Sequence, residues 1–487
     1  MTPGNRDDRS TATWRCKPMD MKVEVDKATG TGQAGASDRL TLGGIVARME
    51  RLPGNAMQIR ARVLIGCATF FDGFDVIAIA ATLPMLIAKW GLAPSQIAFL
   101  IAAGSVGQLI GALLFPALAE RYGRVRTIAW SSGIIGITSI ACGFAPSYAS
   151  FVVLRAVQGV GLGGELPVAA AYISEITRAH GRGRFVLLYE IIFPIGLLVS
   201  NALGAWLVPV LGWQVIYFVG GVPLILAFTL RRLVPESPRW LGQRGRMTEA
   251  AASLAAFEAS VKGPLPPLPS GEAAQAETLA KHPKRGLRDL FGPLYLKRTI
   301  SVAMLWMTCG VIQYGLLTWL PTIYKTVYHA PLQLALNLTV GASVLGVIGS
   351  LICALVVDKV GRKPVINVSF LLCAIALFGA AVFHDSSVYV VGTFCALSFG
   401  LLGCGFITAY VYTPELYPTS VRALGCGVGS AWLKIAAIAA PALVSKTITT
   451  NISVAFYAFG AVLLVAALVI HRLGIETKGQ VLEQLES

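Results

Sequence analysis

Six charged residues sit inside stretches that are otherwise almost wholly apolar: Asp72, Asp75, Arg155, Glu165, Glu190 and Lys434. A charge in the middle of a lipid-embedded helix costs about 2.5–3.5 kcal/mol on insertion scales, so each is first of all a functional candidate. Four acids and two bases cannot all be ionised and paired. At least one carboxyl is therefore expected to hold a proton for part of a working cycle, because a buried carboxylate without a cation is too costly to leave charged. Asp72 and Asp75 are three residues apart and share a helix face. One of them beside Arg155 would stay ionised and the other would titrate, Asp75 being the preferred proton carrier. The bland alternative is that Asp72, Arg155 and Glu165 only staple two helices together. Glu190, one to two turns into its segment, is either a further proton site or the partner of an arginine at a helix end. Lys434 lies near the midpoint of its segment, too deep to snorkel easily, and needs a counter-charge. An incoming carboxylate would supply one; a permanent pair with Asp75 or Glu190 is the alternative.

Flat side chains fall at similar depth. Trp306, Gln313, Tyr314 and Trp432 are the candidates for holding an aromatic ring, the rings by stacking and the amide or phenol by hydrogen bonding. Tyr410, Phe71 and Phe74 read more simply as packing, and Trp319 and Tyr412 as helix-end residues. The stretch Gly159-Val-Gly161-Leu-Gly163-Gly164 contains a G-x-G-x-x-G, but inside an apolar helix rather than after a strand, so it reads as close helix packing and not as a nucleotide loop. Eight of the nine cysteines lie in apolar segments with no C-x-x-C, and all five histidines fall in loops or near helix ends. No cofactor and no metal or catalytic constellation is expected.

Positioning such groups requires membrane helices. The chain has 487 residues, 55% hydrophobic and 13% charged, with a mean hydropathy of +0.68. Soluble domains carry about 25% charged residues, so soluble enzymes, nucleic-acid binders and disordered scaffolds are excluded. Twelve apolar segments of spanning length follow a polar tail, at roughly 62–84, 95–118, 127–145, 149–174, 184–207, 213–231, 299–320, 334–357, 364–383, 387–412, 423–445 and 451–471. The expected organisation is a disordered tail (1–58), a six-helix bundle (59–233), a linker with one or two short amphipathic helices (234–298), a second six-helix bundle (299–472) and a tail (473–487). Alternate short loops collect Arg121, Arg124, Arg126, Arg178, Arg182, Arg184, Lys359, Arg362, Lys363 and Arg422. Both termini and the linker are therefore expected on the cytoplasmic side, and the net charge of +15 needs no nucleic acid to explain it. Glu120-Arg-Tyr-Gly-Arg124 recurs as Asp358-Lys-Val-Gly-Arg362, Glu175 and Arg182 as Glu415 and Arg422, and Leu83-Pro84 as Leu320-Pro321, at offsets of 237 to 240. One nearly constant offset implies two repeated halves, with a site between them.

These residues resemble the major facilitator superfamily over 60–480. Gly107-Gln-Leu-Ile-Gly111 through Arg124 is similar to its signature between helices 2 and 3, and Arg155-Ala-Val-Gln-Gly159-Val-Gly161 to its helix-4 motif. Pro235-Glu236-Ser237-Pro238-Arg239 and Pro414-Glu415-Leu416-Tyr417-Pro418 resemble the sugar-porter and organic-ion branch. Phe71-Asp72-Gly73-Phe74-Asp75 is similar to the aromatic-acid:proton symporters, and the whole looks most like bacterial niacin porters. Helix 7 lacks the sugar porters' amide cluster, and Phe193-Pro194-Ile195-Gly196 only approximates the antiporter motif of helix 5. The resemblance implies an all-α integral membrane fold of twelve helices in two halves, not an enzyme. It implies a monomer in the plasma (inner) membrane that carries a small aromatic monocarboxylate such as nicotinate with a proton. Benzoate or hydroxybenzoate is the runner-up; a sugar, an organic cation or a non-transporting sensor follows. The position of Lys434 resembles one held by an acid in organic cation carriers and by arginine in anion carriers, which points to an anion. Arg121, Arg124, Glu175, Arg182, Glu236, Arg239, Asp358, Arg362, Glu415 and Arg422 resemble latches of the cytoplasmic gate.

Overall fold

A computed structural model describes residues 41–177, 189–268, 287–417, 421–448 and 450–478. Twelve helices are long and apolar enough to cross a membrane. They are α1 Ala56–Trp90, α2 Pro94–Tyr122, α3 Arg124–Gly143, α4 Tyr148–Ile176, α5 Ile192–Leu211, α6 Gln214–Leu233, α7 Leu296–Thr326, α8 Leu332–Val360, α9 Arg362–Val382, α10 Val388–Glu415, α11 Arg422–Thr447 and α12 Ile452–Leu473. All twelve expected segments are present, and no strand occurs among the described residues.

Local chemistry marks the helix ends. Asn55 caps α1, its side chain accepting from the Gln58 amide at 2.8 Å, and Gly91 closes the helix in the left-handed conformation. The turns from α2 to α3 and from α8 to α9 each hinge on one glycine, Gly123 (φ 110°) and Gly361 (φ 111°), a region open to glycine and poor for other residues. Two spans are broken. The α6 helix is interrupted around Gly220-Gly221, and α7 passes through a 3-10 turn at Leu317–Trp319 before Leu320–Thr326, with Pro321 in the first turn of the last piece.

The halves, α1–α6 and α7–α12, meet where α2 packs on α11, α5 on α8, and α1 on the last turns of α7. At the end bearing the Arg124 and Arg362 turns, the basic end, Ile191 packs among Cys353, Val357, Ile407 and Val411 of the other half. At the opposite end Ala81 and Ala205 pack on Leu336, and Gln333 Nε2 donates to the Ala205 carbonyl at 3.0 Å. Apolar contacts between the halves thus lie towards both ends.

The expected tail boundary at residue 58 needs correction. Leu42–Glu50 is a helix capped by Thr41. Its Ile45 and Met49, with Leu52 beyond it, recur at helical spacing and are buried against Trp240, Leu254 and Phe257 of the linker. Arg48 and Arg51 pair with Glu258 at 2.6 and 2.9 Å. The linker's expected amphipathic helices are Pro238–Gln243 and Met247–Ala259. At the other terminus, residues 474–478 are held by contacts of Glu476 and Thr477 rather than trailing as a tail.

Candidate functional site

All six intramembrane charges are buried, between 0 and 8% exposed, and they divide into two groups. Arg155 on α4 donates to Gln158 Oε1 at 2.7 Å and to the backbone carbonyl of Asp75 at 3.5 Å. Its charge acts on the Asp75 carboxyl, near Ser139. Gly220, at the break in α6, leaves room there, since a Cβ at that position would stand 2.9 Å from Asp75 Oδ1. This group holds one acid and one base.

The second group is unbalanced. Lys434 on α11 donates to Gln108 Oε1 on α2 at 2.6 Å, across the boundary between the halves. The acid whose charge acts on Lys434 is Asp72, not Asp75 or Glu190 as the sequence suggested. The two aspartates share a face of α1 about one turn apart; the turn that carries Asp75 lies beside Arg155, and the turn before it, with Asp72, lies towards Lys434. Glu165 and Glu190 lie within electrostatic reach of Asp72. Thr69 donates to Glu165 Oε1 at 3.0 Å and meets the Tyr189 hydroxyl, so Glu165 does tie α4 to α1. Asp72 thus stands between one ammonium and two further acids, and among the described residues none of the six charges forms an ion pair. One oxygen each of Asp72, Glu165 and Glu190, and both of Asp75, have no hydrogen-bond partner.

The candidate ring-holding residues separate in a similar way. Trp306 is fixed by donating Nε1–H to Thr413 Oγ1 at 2.8 Å and stands edge-on to Tyr410, with ring centroids 4.8 Å apart. Phe406 joins them and stacks on Phe193 of the other half. Gln313 lines a cavity between α5, α7, α8 and α10 with Phe193, Pro194, Gly346 and Phe406, and its Nε2 has no partner. The Tyr314 hydroxyl donates to Gln108 Oε1 at 3.4 Å. Trp432 is partly buried against the same core cluster as Trp306 and Tyr314, on the side of α11 away from Lys434, since two residues is about 200° around a helix. Gln108 was missed in the sequence; its signal was an amide in the middle of an apolar helix.

At the basic end, Arg124 pairs with Glu120 at 2.6 Å and Glu175 at 3.0 Å, and Arg362 with Asp358 and Glu415, both at 3.0 Å. Each set lies within one half, where it binds the α2–α3 or α8–α9 turn to the end of α4 or α10. Glu236 accepts from the Arg124 and Val125 amides at 2.9 and 3.2 Å. Burial pushes its carboxyl above the usual range, against the pull of the amides of Ser237, Val125 and Arg124. Arg239 pairs with Glu50 on the N-terminal helix. Arg422 Nε donates to the Tyr417 carbonyl at 3.3 Å. Arg121 stands over the Tyr122 ring at 5.3 Å instead of pairing with an acid. Arg182 lies outside the described residues. A further member went unnoticed: Glu476 accepts from the Arg362 and Lys363 amides, both at 3.0 Å, as Glu236 does 240 residues earlier. The same offset from Pro235-Glu236 would have found it.

Comparison with known proteins agrees with this architecture. The chain matches the family described as Sugar (and other) transporter over residues 62–487. It is 31% identical over 445 residues to the niacin transporter NiaP of Acinetobacter baylyi, covering 91% of this chain and 99% of that one. It is 29% identical to the putative niacin/nicotinamide transporter NiaP of Bacillus subtilis, over 88% and 100% of the two chains. The synaptic vesicle 2-related protein of Rattus norvegicus is 27% identical over 90% and 81%. Among solved structures, the xylose transporter XylE from E. coli in a partially occluded inward-open conformation superposes with a TM-score of 0.71 at 20% identity, over 88% of this chain and 100% of that chain. The same protein bound to 6-bromo-6-deoxy-D-glucose, named as a major facilitator superfamily proton:xylose symporter, gives the same score. This chain is a multi-pass membrane transporter, not an enzyme, and it belongs to the sugar (and other) transporter family of the major facilitator superfamily.

Proposed function

We propose that the protein carries a small aromatic monocarboxylate, nicotinate first, together with a proton, by rocking its two halves around the Lys434 centre. The observation that carries this reading is Lys434 itself: a buried ammonium at the boundary between the halves, bonded to a neutral amide. Ionised Asp72 competes with a substrate carboxylate for Lys434. Protonated Asp72 leaves the ammonium free. Acid and proton therefore enter together, which is the logic of symport. The sequence favoured Asp75 as the proton carrier; the surplus of acids lies around Asp72, and the reading moves there. Glu165 and Glu190 are the next holders of that proton.

The aromatic cluster of Phe193, Phe406, Trp306 and Tyr410 offers faces for the substrate ring, beside a cavity of about 30 Å³ that the halves would have to widen to admit it. The unpartnered Gln313 Nε2 is a donor in search of an acceptor. A pyridine nitrogen is one; the bare ring of benzoate is not. The names of the two bacterial relatives support the same choice. The basic loops support an inner-membrane carrier with both termini in the cytoplasm.

Purified protein in proteoliposomes, given labelled nicotinate and an inward proton gradient, is expected to accumulate the label. Unlabelled nicotinate should compete better than benzoate or hydroxybenzoate, and a sugar not at all. Binding without accumulation overturns the transport reading in favour of a sensor, and accumulation indifferent to the gradient removes the proton.

A further inference from the structure

The acceptor on Lys434 is a neutral glutamine, not an acid. Gln108 is 3% exposed and Lys434 8%, so neither has water as an alternative partner. A carboxylate at position 108 would form a fixed buried pair, costly to separate. An amide can let go and leave no charge stranded. Gln108 also has a second donor waiting. The Tyr314 hydroxyl is 3.4 Å from the same oxygen, so the amide stays satisfied when the ammonium leaves.

Gln108 is rigidly tied to its own half. A Cβ on Gly163 of α4 would overlap the backbone carbonyl of Gln108, and one on Gly107 the carbonyl of Ala156. Here α2 and α4 pack backbone to backbone, which is the role left for the glycine run of α4. The second half repeats this packing. A Cβ on Gly403 would stand 2.5 Å from the Gly346 carbonyl; Gly403 follows Gly163 by 240 residues, and Gly346 follows Gln108 by 238. The side chains differ. Where Gln108 reaches Lys434, its counterpart Gly346 reaches nothing, and Pro194 stands 240 residues before Lys434. Gly346 and Pro194 both line the cavity. One bond crosses between the halves on one side of the repeat, and a hole occupies the equivalent place on the other.

We infer that Gln108 is a built-in stand-in for the substrate: in the empty carrier its amide oxygen occupies Lys434 and holds the halves closed, and the incoming carboxylate takes its place. This rests on the reading of Lys434 as the carboxylate site. The stand-in gives the empty carrier a closed state through which it returns without substrate, and it sets a threshold that only a stronger acceptor than an amide can beat. It thereby selects acids over neutral amides.

Two variants of similar size test this in opposite directions. Gln108→Glu places a permanent carboxylate on Lys434, and nicotinate Kd should rise at least about tenfold, a change of about 1.4 kcal/mol. Gln108→Leu removes the competitor: Kd should fall severalfold, while net uptake drops and nicotinate–nicotinate exchange is kept, because only the empty return needs the bond. A residue with a merely structural role would weaken binding in both variants and reduce uptake and exchange together; that result overturns the inference. A readout on the empty carrier needs no substrate. Spin labels on the outer ends of α1 and α7 should show the closed population reduced in Gln108→Leu. Unchanged distances in that variant overturn the inference while wild-type nicotinate binding still stands. If wild-type protein binds no aromatic acid but the distances shift, the carboxylate reading falls and the role of Gln108 in closure remains.

Discussion

The basic ends of the two halves are near copies of each other, and the centre between them is not. Gly123 and Gly361 turn at φ 110° and 111°. Arg124 and Arg362 each hold an acid at the end of the preceding helix and one at the end of the following helix. Glu236 and Glu476 each cap the amides that open α3 and α9. Tyr172 and Tyr412 donate to the carbonyls of Pro235 and Ile475, both at 2.7 Å. At mid-depth the likeness ends. All four intramembrane acids and Arg155 belong to the first half, and Lys434 belongs to the second; the stretch of α7 that follows Asp72 and Asp75 by the repeat, 309–313, carries no charge. Symmetric parts are what two halves need in order to be held rigid and moved alike. A substrate of one fixed sign and shape has no twofold symmetry, so its site is built where the copies diverge.

Lys434 is where breaking that asymmetry should do most. In Lys434→Ala the buried Asp72 loses its cation and the substrate its counter-charge, and uptake of the acid should fall at least about a hundredfold, with binding lost as well. Binding retained by this variant sinks the central assignment. The two aspartates come next. Asp72→Asn should lose the response to the proton gradient and keep exchange, with gradient-driven accumulation down by about tenfold. Asp75→Asn, in the balanced group with Arg155, should keep that response. The opposite outcome would return the proton to Asp75.

At the symmetric ends the test is equality. Glu236→Ala and Glu476→Ala each strand amides at a helix start and should each cost about 1–2 kcal/mol of stability, with nicotinate affinity unchanged. Melting of the purified variants measures this, and a difference above about 1 kcal/mol between them breaks the equivalence. Burial raises the Glu236 carboxyl, so the folded chain holds that proton more tightly than the unfolded one, and its contribution grows as pH falls. Glu236→Gln, which resembles the protonated form, should accordingly cost less than Glu236→Ala.

The twelve helices were legible because apolar run length is the signal that the bilayer itself demands. The six charges were legible for the same reason inverted: a charge in a run of leucine and alanine is conspicuous. What stayed hidden was rotation. Whether Asp72 or Asp75 lies nearer Lys434 depends on how α1 is turned and on the height at which it meets α11, and no pattern along the chain records either. Gln108 was passed over because a neutral amide costs far less in the membrane than a charge and so attracts less notice. Glu476 was hidden by its place beyond the last span, although the 240-residue offset pointed to it. Leu42–Glu50 showed helical spacing of Ile45 and Met49, but the polar composition around it outweighed nine residues.

The smallest expected effect lies at the part of the molecule without a copy on the other side, the N-terminal helix clipped to the linker. Glu258 is partly buried, which alone would raise its carboxyl, but the guanidinium groups of Arg48 and Arg51 more than offset this and hold it below the usual range. A lowered carboxylate contributes stability that is present above its unfolded value and lost only as pH falls through the lower folded one. The unfolded value is about 4.3. Between pH 7 and pH 5, therefore, the clip should stay shut while the centre responds to protons. Hydrogen exchange of the amides of residues 42–50 measures the clip apart from transport. Those amides should exchange equally at both pH values once corrected for intrinsic rate. Glu258→Gln should speed them by no more than about fivefold, since a partly exposed ion pair contributes about 1 kcal/mol or less. If acidification to pH 5 opens the clip in wild type, proton sensing is not confined to the centre, and the division between a symmetric frame and a responsive core fails at its edge.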